Sequence, residues 1–124
     1  MYPILYDAVA ISVSRENFVR ALNAEGMPME CGYTQPLYLE PVYQQRIAFG
    51  KHGYPFTYEG YKGTVSYQKG LCPITERMYY SELMVTNICH AGTTECDLDD
   101  MVHAFRKVFE NIEDLKEWCI RQTS

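Results

Sequence analysis

The chain has 124 residues, one domain's worth, and its 47% hydrophobic and 22% charged content suits a globular protein with a real core. It holds no run of about 20 apolar residues that would span a membrane. A formal net charge of −5 speaks against a nucleic-acid partner, which needs a basic stripe.

Residues 3–11, PILYDAVAI, read as a buried strand rich in Ile, Leu, Val and Tyr. The N-terminus shows no basic segment followed by an apolar one, so no signal peptide is expected. A first strand that begins at residue 3 has the look of a piece cut from a longer chain, or of one whose preceding partner is elsewhere. Ser14 is the expected N-cap of a helix over about 15–25, with Glu16 in its first turn, Phe18, Ala21 and Leu22 at helical spacing, and Gly26 as the left-handed stop. Residues 27–31 read as a short strand of alternating burial, at an edge because of Pro28.

From Gly32 to Tyr43 the chain carries Tyr33, Tyr38, Tyr43, Gln35, Pro36 and Pro41. Each proline fixes φ and withdraws a backbone donor, so neither a long helix nor an inner strand fits. Such a loop either presents its Tyr and Gln side chains to a ligand or packs its own rings on the surface. Residues 41–71 are loop-dominated, with Gly50, Gly53, Gly60, Gly63 and Gly70 interleaved among aromatics. One helical turn near 41–46 and otherwise ordered, irregular chain are expected there.

Pro73 suits the first position of a second helix, 73–82, with Glu76 in its first turns, and 83–89 read as a strand. Asp97 is the expected cap of the strongest helix, with Asp99 and Asp100 in its first turn. Leu98, Met101, Val102, Phe105, Val108 and Phe109 form its apolar stripe. Arg106 and Lys107 favour its C-terminal end, and His103 lies opposite the stripe, facing solvent. Asn111 interrupts before a terminal helix, 112–121, built on Ile112, Leu115, Trp118 and Cys119. The order predicts an α+β fold, a small antiparallel or mixed sheet with helices packed on one face.

Five scattered cysteines (Cys31, Cys72, Cys89, Cys96, Cys119) imply reduced thiols in a cytoplasmic protein rather than a disulfide scaffold. Their spacing, even with His90, matches no zinc pattern, and no metal site is assigned. Nothing marks a Cys–His nucleophile pair among these thiols and His52, His90 or His103, and the glycines do not form a phosphate loop. None of Lys51, Lys62, Lys69, Lys107 or Lys116 lies in an apolar strand, where a Schiff-base lysine would be desolvated. No catalytic residues are assigned.

Three ordered segments nevertheless carry a resemblance: SRENFVRALNAEGM on the first helix, YTQPLYLEPVY in the following loop, and CPITER opening the next helix. With the acidic start and AFRKV of the late helix, they resemble the C-terminal part of the DegT/StrS family of sugar aminotransferases, over about residues 4–118. The resemblance implies one domain, 1–124, like the small C-terminal domain of the aspartate-aminotransferase (type I) fold, without the N-terminal cofactor-binding domain. It implies an enzyme family that uses pyridoxal phosphate to aminate nucleotide-linked keto-sugars or related cyclic ketones. This chain alone would hold no cofactor and be inactive, acting in a homo-oligomer or with a partner N-terminal domain. Tyr33, Gln35 and Tyr38 become the substrate-binding candidates, with Tyr38 standing where relatives often have histidine. Glu76 and Arg77 are expected to organise their helix start rather than touch substrate. The alternative is a non-enzymatic interaction or oligomerisation module derived from that domain.

Overall fold

Asp7 decides how the chain leaves its first strand. The structure, a computed structural model, describes residues 1–123. Strand β1 (Tyr2–Leu5) gives way to one turn of helix, α1 (Ala8–Ile11). Asp7 Oδ1 accepts the N–H groups of Val9 and Ala10, each at 3.0 Å, and left-handed Ser12 (φ 61°) closes the turn. The strand expected over 3–11 is therefore only four residues long, because a carboxylate that satisfies nearby N–H groups competes with pairing.

Helix α2 (Arg15–Ala24) forms as expected, with Ser14 Oγ accepting from Asn17 N–H at 3.3 Å and Gly26 taking φ 87°. It buries Phe18, Val19 and Leu22. In the next stretch Met27 and Met29 are buried on either side of exposed Pro28, yet only Glu30–Cys31 pair, as β2. Asn23 explains the shortening. Its side-chain amide brackets the Met29 backbone, donating to the carbonyl and accepting from the N–H at 2.9 Å each, so Met29 needs no sheet partner.

The centre holds a single 3₁₀ turn at Leu37–Leu39 and the short helix α3 (Pro41–Gln44). Helix α4 (Pro73–Arg77) starts on its proline and widens into one π-helical turn, Met78–Glu82, ending where the Leu83 N–H donates to the Met78 carbonyl. Strand β3 (Leu83–Thr86) follows and is the middle of a three-stranded antiparallel sheet, order β1-β3-β2. Ile4 and Cys31 both lie opposite Met84. The fold is α+β with a small antiparallel sheet, and proline sits at the edge in β1, where its missing donor is tolerated.

Helix α5 (Glu95–Glu110) is capped by Thr94, not by Asp97. Thr94 Oγ1 accepts the Asp97 N–H at 3.3 Å, and Asp97 Oδ2 accepts the Thr94 N–H at 2.7 Å. This reciprocal capping box places Asp97 at the third helical position, so Glu95 and Asp97, rather than Asp99 and Asp100, occupy the first turn. Asn111 ends α5, and α6 (Ile112–Thr123) follows. His103 faces solvent as expected.

The core joins Tyr6, Phe18, Leu22, Met27, Met84 and Val108, with the Phe18 ring 4.9 Å from Tyr6 and 5.2 Å from Phe109. The α5 stripe is only half used. Ala104 and Val108 are buried, while Leu98, Val102 and Phe109 stay substantially exposed. Leu98 and Val102 border an apolar groove of about 450 Å³ against Tyr2 and Ile4 of β1. No helix among the described residues is long and apolar enough to cross a membrane.

Candidate functional site

A π-helical turn leaves carbonyls at its C-terminal end without intrahelical donors, and here one side chain supplies them. Arg15 is 6% exposed. Its Nη1 donates to the carbonyls of Tyr79 (2.8 Å) and Leu83 (3.1 Å), and its Nη2 to that of Tyr80 (3.0 Å). Its Nε and Nη2 also grip Glu16 Oε1 at 3.1 and 2.7 Å. Burial raises the Glu16 carboxyl, but the hydrogen bonds and charge of Arg15 outweigh it and hold that group below the usual carboxylate range. Only a planar fork of donors reaches so many acceptors from one position.

A second knot fastens the Gly32–Tyr43 loop to α4. The Tyr38 hydroxyl donates to Glu76 Oε1, which also accepts the Gly70 N–H at 2.6 Å. The Cys72 N–H donates in turn to the Tyr38 hydroxyl at 3.4 Å. Glu76 is 8% exposed. The hydrogen bond from Tyr38, helped by the Gly70 N–H and the Lys69 charge, holds its carboxyl below the ordinary value against the effect of burial. Burial and then the Glu76 carboxylate push the Tyr38 phenol up to about 12. At neutral pH the pair is a phenol donating to a carboxylate. Gln44 Nε2 adds bonds to the carbonyls of Tyr38 (2.6 Å) and Tyr67 (2.5 Å), tying the loop to the chain that follows.

Of the substrate-binding candidates, Tyr33 is 63% exposed and free to meet a ligand. Gln35 donates through Nε2 to the Leu39 carbonyl at 2.9 Å, and Tyr38 is engaged by Glu76, so both shape the loop from within. Gly32 takes φ 68°, where a side chain is strained. A Cβ there would stand 3.1 Å from the Tyr79 ring. Glu76 and Arg77 act within the fold, Arg77 pairing with Glu82 at 2.6 Å. The sequence marks Arg15 only as part of the first motif and gives it no role, although a cation at the first helical position opposes the helix dipole and asks for a reason.

Beyond the knot, the Phe49 N–H donates to the Tyr54 carbonyl at 3.0 Å, closing a tight hairpin with the tip Gly50-Lys51-His52-Gly53. Both tip glycines take positive φ, 67° and 71°. Thr57 Oγ1 holds the tip through the His52 carbonyl at 2.7 Å. Two strips of rings result. Phe56 meets Tyr61 and Tyr67 half-buried, at 5.6 and 6.3 Å, whereas Phe49, Tyr54 and Tyr58 run along the outside at 6.4 and 6.1 Å between neighbours.

Pyridoxal phosphate needs a sheltered lysine and a phosphate cradle. Lys51, Lys62, Lys69 and Lys107 are exposed, and half-buried Lys116 pairs with Glu113 at 2.7 Å. The described residues therefore do not fit that cofactor by themselves. Nor does any group of three or more His, Cys, Asp and Glu among them converge as a metal site would require. No family model, curated protein or solved structure matches the chain.

Proposed function

We propose that this chain is the small C-terminal domain of a pyridoxal-phosphate-dependent aminotransferase acting on nucleotide-linked keto-sugars or related cyclic ketones. In this role it walls the substrate cleft with the loop around Tyr33, keeps that loop in shape through Gln35 and Tyr38, and is inactive alone. The supporting observation is that the segments carrying the resemblance meet through their own characteristic residues. Arg15 of the first motif caps the turn that follows the third, and Tyr38 of the second bonds Glu76 of the third. Five cysteines with no disulfide among them suit a reducing, cytoplasmic setting.

The coding sequence beside this one should carry a domain with the Schiff-base lysine, and that domain should co-purify with the chain. An unrelated neighbour and no co-purifying domain would overturn the proposal. The chain alone, treated with pyridoxal phosphate and borohydride, should yield no stoichiometric adduct at a single lysine. Such an adduct would overturn its inactivity alone.

One observation favours a second role, that of an interaction or oligomerisation module. The apolar groove between β1 and α5 is bordered by Leu98, Val102 and Tyr2, at 44%, 54% and 57% exposure, and exposed apolar patches usually mark association surfaces. Sedimentation across a wide concentration range should then show self-association, and a strict monomer counts against this role.

A further inference from the structure

Two unlike surfaces of this chain stay uncovered. The groove between β1 and α5 is lined chiefly by apolar side chains, among them Ile4, Leu98, Met101, Val102 and Phe105. Its helical wall is acidic. Glu95, Asp97, Asp99 and Asp100 are exposed in the same first turns of α5, with no cation among them. Met27 and Met101 of the groove also line a neighbouring cleft that Glu25, Asp97 and Asp100 border.

The central hairpin has the opposite character. Residues 41–71 hold four cations and one anion, a net +3, whereas the remaining residues hold seven cations and fifteen anions, a net −8. Phe49, Tyr54 and Tyr58 stand out of this segment in a row, 6.4 and 6.1 Å between neighbouring rings, at 70%, 52% and 61% exposure. Lys51 lies in the turn that Phe49 and Tyr54 close.

We propose that the hairpin of one copy, residues 49–58, docks in the β1–α5 groove of a second copy. Its rings cover the apolar floor, and its cationic segment meets the acidic rim. The proposal rests on the association role given above and names the occupant of that groove.

Within one chain the hairpin rings and the groove residues Leu98 and Val102 are all exposed, so neither surface covers the other. Between copies they are complementary in polarity and in charge. Aromatic side chains entering an apolar patch, with charged groups at the margin, follow the usual anatomy of a protein interface. Pairing two grooves face to face would set acid against acid, whereas a hairpin in a groove brings a net +3 segment to a net −8 body. The guest is also prepared in advance. The Phe49–Tyr54 backbone bond, the Thr57 contact to the tip and the Arg46 Nη2 bond to the Val65 carbonyl at 2.9 Å fix the hairpin before it docks. A fixed loop loses little further entropy on binding.

Sedimentation of the chain and of two variants, Phe49→Ser in the hairpin and Val102→Glu in the groove, tests this directly. The wild-type chain should self-associate as its concentration rises, and less so in high salt. Each variant should associate at least about tenfold more weakly. Their equimolar mixture keeps one intact hairpin and one intact groove, so it should associate more tightly than either variant alone. Both side chains are exposed, and an unchanged melting temperature establishes that each variant is folded. Tyr58→Ser and Leu98→Gln form a second pair of the same design.

Wild-type association in both Phe49→Ser and Tyr58→Ser, with loss in Val102→Glu, would overturn the docking and keep association through the groove alone. A mixture no tighter than its two parts would overturn it as well. A strict monomer at millimolar concentration would overturn the docking and the association role together, leaving the groove to a partner of other chemistry. None of these results touches the aminotransferase proposal, which stands or falls on the neighbouring domain.

Discussion

The chain folds two regions by opposite means. The elements from β1 to β2 and from β3 to α6 cohere through apolar burial, with Phe18 and Leu22 at 1% and 0% exposure. The stretch from Tyr33 to Cys72 places none of its side chains in that core. It is held instead by side chains bonding to backbone, by glycine turns and by rings meeting edge to face. The difference separates two tasks. One region supplies stability, and the other supplies a defined, chemically varied surface that the first carries.

The largest effect should come from the burial side. Phe18→Ala removes the ring that touches both Tyr6 and Phe109, and should lower the unfolding free energy by about 3–5 kcal/mol in denaturant melts. A cost near that of an exposed site would mean that the core does not carry the fold. Arg15 ties α2 to the π-helical turn that leads into β3, so Arg15→Met should have an intermediate effect. With the carbonyls of Tyr79 and Tyr80 losing the Arg15 donor, while that of Leu83 keeps the Gly32 N–H, we expect a loss of about 1–3 kcal/mol, only partly restored by Lys, which lacks the planar fork. Equal stability of the Lys variant and wild type would show that a point charge suffices.

The smallest effect belongs to the loop and is best read through pH. Glu76 titrates below its ordinary 4.5 in the fold, so its contribution is present above pH 4.5 and fades as pH falls through the lower folded value. Near-UV dichroism of the tyrosines should change in that acid window while far-UV helicity persists, and Glu76→Gln should remove the change. Synchronous loss of both signals would erase the distinction between the regions. At the alkaline end Tyr38 and core Tyr6 are both raised from 10 to about 12, burial being the first cause for each. Their contributions are present below pH 10 and vanish as pH rises through about 12. Tyr38→Phe should delete the loop's share and leave that of Tyr6.

The same division explains what was legible in the sequence. Apolar spacing revealed α2, α5 and α6, because a buried stripe must recur with the helix, and the prolines announced α3 and α4. Asp7, Asn23 and Thr94 shifted boundaries that apolar pattern alone could not locate, since each acts by a single hydrogen-bonding side chain. The loop was recognised as ordered, but its latch was not, because Tyr38 and Glu76 lie 38 positions apart and share no periodicity. The net charge of −5 likewise averages over residues 41–71, which hold four cations and one anion, and a remainder with seven cations and fifteen anions.

The π-helical turn at Met78–Glu82 sets the gearing between these regions. Each residue turns an α-helix by about 100°, so an extra residue in one turn resets which way everything upstream of it points. Deleting one residue there would leave β3 locked in register between its neighbours and swing α4 about a quarter-circle, carrying Glu76 away from Tyr38. The widened turn thus works as an indexing device, and the hold of the sheet on the loop depends on a count of residues as much as on their chemistry.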